Sequence, residues 1–492
     1  MDAVSQYLFS GLSSGCVFAL VALGLVLIAR VTGVYNFAQG EYIMVGGVVF
    51  ALTTQAGLPI LAAGAAGVVS VAVVAFVQER LTVAPIRKST SPLGLAVVSL
   101  GFGVTLRGIA LIVVGRDPIS VDSFVPGTFE FLGARLDLQT LWVWGMTLLL
   151  LTALVVLLQF TTIGKAMRAS ASNLVAANLL GIRTSRMSTL AFVLAGAMTG
   201  LAGVVVVPLS AVSWSSGVSI GLIGFIAAAV ADFKRPVIAV VVGLAMGVIQ
   251  NLAAGLISSD YRDVFVYGAL LVYFVVRDLA GEDGLIRRAA LAGISRPSRT
   301  GAKRTPSSRA TSLPIGSSGV TAPPQRRPLA ISLLPVILVA ALAVVPLLLT
   351  SDAQAMNAAV FIILTSIAAT GLVLVMGLGG MLSLGHAAFC LVSGYTVAIL
   401  TVRFGWPPLL AILIAVIAAI VVGLIVGVLT LRLSAFNLAI STLAILLMLL
   451  VWVSQATALT GGIRGTIGVP PLEAFGFTTS LTPDRLVGSR DR

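Results

Sequence analysis

Apolar residues run along most of this chain in long stretches separated by short polar intervals. Leu8 to Ala29, Leu190 to Leu209, Val237 to Leu256 and Leu409 to Leu431 each come close to the ~20 residues an α-helix needs to cross the ~30 Å hydrocarbon layer of a bilayer. The alternation expected of β-barrel strands is absent. The pattern predicts an all-α fold, a polytopic transmembrane helical bundle. Composition agrees: 58% of the 492 residues are hydrophobic and 10% charged, against about 25% charged in a soluble domain, so a water-soluble fold is excluded. The 51 glycines are spread through the apolar runs, where small residues let helix backbones approach closely and favour a packed bundle. Asp2, with no basic residue before the first long run, does not match the basic start of a cleavable signal, and Leu8 to Ala29 is expected to be a retained first helix.

Charge sets the topology. The Gln78 to Ser91 interval holds Arg80, Arg87 and Lys88, and Thr161 to Met187 holds Lys165, Arg168, Arg183 and Arg186 without an acid. Both are expected in the cytoplasm. Between them, Gly115 to Gln139 carries Asp117, Asp122, Glu130 and Asp137 against Arg116 and Arg135 and is expected outside. Asp232, Lys234 and Arg235 then fall inside, Asp260 to Asp263 outside, and the basic stretch after Arg277 inside. The first unit, residues 1–280, therefore starts outside and ends inside, with eight or nine transmembrane helices.

Ten basic residues against three acids lie between Arg277 and Arg327, a net +7 of the chain's +13. Basic charge concentrated in one interval is the mark of a cytoplasmic loop, so the basic balance does not point to nucleic acid. Residues 281–328 are rich in Ser, Arg, Pro and Thr and lack apolar periodicity. Such a segment buries too little surface to offset its ordering entropy, and it reads as a flexible basic cytoplasmic linker. A second unit, residues 329–492, follows, with about five transmembrane helices near Leu329 to Leu349, Met356 to Met376, Ala388 to Thr401, Pro408 to Leu431 and Ala435 to Val453.

The two units are related. A shift of 347 residues, the separation of Gly24 from Gly371, sets Gly24-Leu25-Val26-Leu27 on Gly371-Leu372-Val373-Leu374, Gly33 on Gly380 and Gly47 on Gly394 without a gap. In each copy the match runs into Gly and polar residues expected at membrane depth: Thr32 to Glu41 in the first, Gly379 to Ala388 in the second. Non-helical backbone there is tolerated only when buried in protein or lining a watery cavity, and interrupted helices at matching positions point to a transport route. Asn36, Gln39, Glu41, Ser383 and His386 are the candidate translocation-pathway residues, with tight helix crossing as the structural alternative. His386 is the only histidine; a proton relay or a hydrogen-bonded packing role both suit it. Arg30 and Arg107 are further charges near membrane depth, suited either to function or to ion pairing. Cys16 and Cys390, both in apolar runs, make neither a disulfide framework nor a metal site. No Gly-x-x-x-x-Gly-Lys-Ser/Thr motif occurs, so the chain is not expected to hydrolyse ATP itself.

The stretch Gly11 to Gly47, with Asn36-Phe37-Ala38-Gln39-Gly40-Glu41, resembles the LivH-type permease of branched-chain amino acid ABC importers. Gly371 to Tyr395, with Leu384-Gly385-His386, resembles the LivM-type partner, as do Leu431-Arg432-Leu433 and Thr460-Gly461-Gly462 with Gly468-Val469-Pro470-Pro471. The first resemblance covers residues 1–284 and the second 329–476. A LivM-type unit continues with further helices and a second docking loop, so the second unit is expected to be truncated or completed by another polypeptide.

The resemblance implies an ABC importer permease in the bacterial inner membrane, with two related units. It would be fed by a periplasmic substrate-binding protein and driven by separate ATPase subunits that hydrolyse ATP with Mg, and would bind no cofactor of its own. The cargo would be branched-chain or other small amino acids, amides or urea, and a second permease chain or a second copy of this one is a further candidate partner. In the cytoplasmic segment Ile163 to Ile182, Met167, Ala171, Leu174, Ala177 and Gly181 recur at helical spacing, giving one small apolar face on a single helix that Gly181 would end. This segment resembles the coupling helix that such permeases seat on their ATPase, with Gly164, Lys165, Arg168, Ala169, Leu174, Ala176, Ala177, Leu180 and Gly181 as its contact candidates. An amphipathic helix lying on the bilayer is the alternative. An ion-coupled secondary transporter or channel for a small polar solute would also use repeats and broken helices, but it would need intramembrane acids, for which only Glu41 and Asp232 stand near.

Overall fold

Lipid offers no hydrogen bonds, so a chain this apolar must pair its backbone groups within each segment, which leaves helices. The structure, a computed structural model, describes residues 2–87, 90, 92–280, 353–379, 381, 383–430, 435–470, 473–474 and 477–478. Among them, nine helices are long and apolar enough to cross a membrane. The expected linker at 281–328, the expected helix at 329–349, the Leu431-Arg432-Leu433 step, Pro471 and the tail after 478 lie outside the described residues. By its contacts the chain forms two compact units, one of Met1–Tyr273, Tyr395–Ile412 and Leu443–Arg492, the other of Phe274–Gly394 and Leu413–Thr442.

The first unit of the repeat, residues 1–280, begins with α1 (Asp2–Thr32), α2 (Gln39–Gln55) and α3 (Ile60–Gln78), the last continued by a π-helical turn, Glu79–Val83, and α4 (Ala84–Ile86). It goes on through α5 (Pro92–Val114), α6 (Leu138–Phe160), α7 (Thr162–Ser172), α8 (Leu174–Leu179), α9 (Thr184–Val206), α10 (Ser216–Val230), α11 (Pro236–Leu256) and α12 (Arg262–Ala280). Of these, α1, α3, α5, α6, α9 and α11 are long and apolar enough to cross a membrane, and α10 is a shorter apolar helix.

Burial sorts these helices into centre and periphery. The apolar window of α1 is 83% buried, against 17% for those of α5 and α6. Glycine is what lets α1 take the centre. A Cβ at Gly15 would stand 2.7 Å from Leu244 Cα of α11, and one at Gly247 of α11 would overlap the backbone of Gly15 and Gly11. The backbones touch directly, as small-residue faces permit. In the same way Gly40 of α2 meets Gly217 and Gly221 of α10.

One outer element departs from the sequence reading. The Gly115 to Gln139 interval, expected only as an outer loop, contains a hairpin of β1 (Thr128–Phe131) and β2 (Ala134–Asp137), in which Phe131 pairs with Ala134. Its two turn residues, Leu132 at φ 48° and Gly133 at φ 79°, are both left-handed, as the tight two-residue hairpin turn requires.

The later helices are α13 (Ala353–Val373) with a π-helical turn at Leu374–Leu378, α14 (Ala387–Val402), α15 (Pro408–Thr430), α16 (Ala435–Gln455) and the single turn α17 (Thr457–Thr460). They fall within a few residues of the runs expected from hydropathy. After α17 the Thr460-Gly461-Gly462 step turns the chain with both glycines left-handed, at φ 80° and 64°. The Thr460 hydroxyl donates to Val453 O at 2.6 Å and accepts from Gly462 N at 3.1 Å.

Gly247→Val is expected to lower the unfolding free energy of the solubilised protein by at least the ~1–3 kcal/mol typical of overpacking, read by denaturant titration in detergent. Gly108→Ala, on α5 where nothing lies within 4 Å of the added methyl, should be neutral or stabilising by up to ~1 kcal/mol through helix propensity.

Candidate functional site

Between α1 and α2 the chain leaves the helix from Gly33 to Ala38, and side chains take over the bonding that helix geometry would have supplied. Thr32 Oγ1 donates to Ile28 O at 2.7 Å and accepts from Val34 N at 3.1 Å. Asn36 Oδ1 accepts from Ala38 N at 3.2 Å and from Gln78 Nε2 of α3 at 2.8 Å, while its Nδ2 donates to Gln39 Oε1 at 3.3 Å. Gln39 Nε2 donates to Thr199 Oγ1 at 2.6 Å and Ala195 O at 3.2 Å, both on α9. Tyr42 OH donates to Gln78 Oε1. Phe37 N donates to Ser99 Oγ of α5 at 2.9 Å, and Ser99 Oγ donates to Ala96 O at 2.7 Å. Asn36, Gln39, Tyr42, Gln78 and Ser99 are all fully buried. The break is closed and internally bonded in this structure, and it joins α1 and α2 to α3, α5 and α9.

The second break repeats the first at the same offset. The helix ends at Leu378 and α14 starts at Ala387, one residue from where Thr32 and Gln39 map. Leu384 N, the counterpart of Phe37 N, donates to Thr442 Oγ1 of α16 at 3.2 Å, and Thr442 Oγ1 donates to Ala439 O at 2.9 Å. Ser99 and Thr442 thus stand at the same turn of their helices and use the same bonds. His386 occupies the position of Gln39. A Cβ on Gly24 would meet Gln39 Nε2, and one on Gly371 would meet His386 Nε2, so each side chain lies over the same glycine of the preceding helix. His386 also packs edge-on to Phe389 at 5.5 Å, and its Nδ1 is buried without a hydrogen-bond partner. Ser383, half-buried, holds the position of Asn36, and Ala388 that of Glu41.

Glu41 is buried, and Arg107 of α5 donates to its Oε1 through Nε at 3.3 Å and a terminal nitrogen at 2.7 Å; Oε2 has no partner. Glu41 and Arg107, singled out separately in the sequence, are one ion pair. A second buried carboxylate was not singled out. Glu79, in the π-helical turn after α3, accepts from Ser188 Oγ and Thr189 Oγ1 of α9 at 2.9 Å each. Its signal was an acid at the end of an apolar run, obscured by the adjoining Arg80.

The cytoplasmic segment is two helices, not the single one expected. Asn173 is extended (φ −157°, ψ 108°), and its Oδ1 accepts from Val175 N and Ala176 N at 3.0 Å each. An Asn that caps the second helix breaks the first. Gly181 ends α8 with φ 81°, as expected. At the other end Thr161 Oγ1 accepts from Gly164 N at 3.0 Å, and a Cβ at Gly164 would overlap the backbone of Leu157 and Leu158, so Gly164 sets the turn from α6 into α7.

The expected small face also divides. Met167 and Ala177 are buried in the chain's own packing, whereas Lys165, Arg168, Leu174, Ala176, Leu180 and Gly181 are exposed and Ala169 is half-buried. The outward face is instead large and apolar: Val175 is 70% exposed, Leu179 83% and Leu180 80%.

A family model described as branched-chain amino acid transport system / permease component matches the chain twice, over residues 7–275 and 354–484. The chain is 28% identical over 286 residues to the high-affinity branched-chain amino acid transport system permease protein LivH of Escherichia coli (strain K12), a match covering 55% of this chain and 92% of that protein. It is 26% identical over 287 residues to the corresponding BraD of Pseudomonas aeruginosa, covering 55% and 93%. To the probable LivH of Methanocaldococcus jannaschii it is 27% identical over 273 residues, covering 52% and 84%.

Asn36→Ala strips the acceptor from two buried donors and is expected to destabilise the protein by about 1–3 kcal/mol, measured by unfolding in detergent. Cysteine at position 36 or 39 should resist water-soluble thiol reagents in the resting protein and react only when the break changes conformation.

Proposed function

This chain belongs to the branched-chain amino acid transport system permease family, and from that membership we propose that it carries branched-chain or related small amino acids inward, coupled to separate ATPase subunits through α7 and α8. It is a multi-pass inner-membrane permease of the ABC importer kind. A periplasmic substrate-binding protein delivers the cargo, and the partner subunits hydrolyse ATP with Mg; LivH and BraD carry branched-chain amino acid transport in their names. Residues 281–328 serve as the cytoplasmic linker between two permease units.

The observation that carries the coupling assignment is the exposed apolar face of α8. Val175, Leu179 and Leu180 project from a capped helix on the side that the basic residues assign to the cytoplasm, and apolar patches left in water mark interaction surfaces. Lys165 and Arg168 of α7, both exposed, extend the surface with positive charge. The bilayer-surface alternative is served less well, because α8 is a single short helix of six residues, held against its own protein by Ala177.

The two breaks are the parts assigned to the translocation route. Asn36 and Gln39 tie the break to α3 and α9, and Phe37 N ties it to α5, so α1 and α2 cannot shift without exchanging these bonds, and Ser383 and His386 stand at the same positions in the second copy. Ion coupling finds little footing. Glu41 is neutralised by Arg107, and Glu79 is held by two hydroxyls.

Leu179→Glu combined with Leu180→Glu should leave membrane insertion intact while abolishing co-purification of the ATPase subunit and substrate-dependent transport. An unpaired charge buried in such a contact costs about 3–5 kcal/mol, more than a hundredfold in affinity. Ala176→Glu should act in the same direction, whereas Ala177→Glu should perturb the fold of the loop itself. Undiminished co-purification with the double variant would remove α8 from the ATPase contact.

A further inference from the structure

Three segments remote in sequence enclose a cleft of about 490 Å³ at the cytoplasmic end of the first unit, within the range of small-molecule sites. Its walls are the end of α1 with the start of the first break, the joint between α7 and α8, and the turn between α10 and α11. The lining supplies two cations, Arg30 and Lys234, one carboxylate, Asp232, and the hydroxyls of Ser170 and Ser172. A simple anion would meet Asp232 there, and a simple cation would meet Arg30 and Lys234. A zwitterion satisfies both sets of charges.

Two features of the walls are independent of the charge count. Ser170 is 2% exposed, and its hydroxyl has no hydrogen-bond partner. A buried hydroxyl left unpaired is unfavourable, and a ligand in the cleft offers it a partner. Asp232 and Phe233 are both left-handed, at φ 54° and 53°, a conformation that L-residues with side chains avoid unless their surroundings enforce it.

The cap of α10 enforces it, Phe233 N donating to Ala228 O at 2.8 Å and Asp232 N to Ala229 O at 2.9 Å, and a row of aromatic rings seats Phe233. Phe233 packs edge-on to Tyr35 at 4.8 Å and to Phe225 at 5.2 Å, and Phe225 stacks on Phe37 at 4.4 Å. The row begins in the wall of the cleft and ends in the buried break. The remaining wall, Ser170 to Ser172 with Leu174, is the joint that orients α8. Anything filling the cleft therefore touches both the first break and the joint of α7 and α8.

We propose that this cleft binds a free α-amino acid on the cytoplasmic side, its carboxylate toward Arg30 and Lys234 and its ammonium toward Asp232, and that occupancy fixes the α7–α8 joint against the first break so that accumulated product slows import. The proposal rests on the importer reading for the identity of the ligand.

The test is equilibrium binding of radiolabelled L-leucine to the full chain in lipid nanodiscs, with neither ATPase nor binding protein present. Saturable binding is expected, competed by L-valine and L-isoleucine but not by leucinamide, 4-methylpentanoate or inorganic phosphate. Arg30→Gln with Lys234→Gln should weaken it by at least about tenfold. Ser172→Trp, which fills the cleft from an exposed position, should do the same without disturbing the core.

In proteoliposomes of the complete importer, leucine on the cytoplasmic side should slow ATP-driven uptake, and Arg30→Gln with Lys234→Gln should reduce that slowing relative to the variant's own uptake without cytoplasmic leucine. Three outcomes would each overturn the proposal: absence of binding, binding unchanged in both cleft variants, or competition by 4-methylpentanoate or phosphate alone. Because the binding assay needs no ATPase, its failure is separable from a failure of α8 to bind one.

Discussion

A backbone that leaves the helix inside a packed interior has nowhere to place its hydrogen bonds except on its own protein. The segment from Gly33 to Ala38 meets that constraint with side chains, and the arrangement of the first unit follows from it. Thr32, Asn36 and Ser99 each take a bond the helix gave up, Gln39 ties Asn36 to α9, and the partners on α3, α5 and α9 must come close enough to reach. Close approach in turn requires the glycines. Gly24 must lack a side chain for Gln39 to lie over α1, and Gly40 must lack one for α2 to rest on α10.

The second copy shows which parts of this device are structural and which are free to vary. The hydroxyl behind the break is kept, as Ser99 or Thr442, and so is the glycine beneath the next polar side chain, as Gly24 or Gly371. The side chain itself changes from Gln39 to His386, and the carboxylate of Glu41 gives way to Ala388. The pairing of Glu41 with Arg107 is thus a property of the first break, not of the repeated frame. Two copies that share backbone bonding and differ in charge need not do the same work during transport.

Much of this was legible in the sequence because it rests on composition and local order. Runs of apolar residues place the helices, since crossing length and hydropathy are one-dimensional quantities, and the paired Gly and polar interruptions place both breaks. The partners of the breaks were not legible. Ser99 lies 62 residues from Phe37, and Gln78 lies 42 from Asn36, and nothing in a single apolar run shows which of its few hydroxyls or amides will face inward. The joint at Asn173 was missed for a different reason. Met167, Ala171, Leu174 and Ala177 keep helical spacing straight through it, so periodicity hides a break that the Asn173 side chain makes. The same spacing pointed Ala177 outward, whereas burial turns it inward and leaves Leu179 and Leu180 to face the cytoplasm.

The equivalence of the two breaks is the claim on which the rest depends, and amide hydrogen–deuterium exchange tests it most directly. In the full chain in nanodiscs, the amides of Phe37 and Leu384 should both be protected. Ser99→Ala should release the first alone, and Thr442→Val the second alone. Fast exchange at either amide in the unaltered protein, or continued protection after its hydroxyl is removed, would contradict the account.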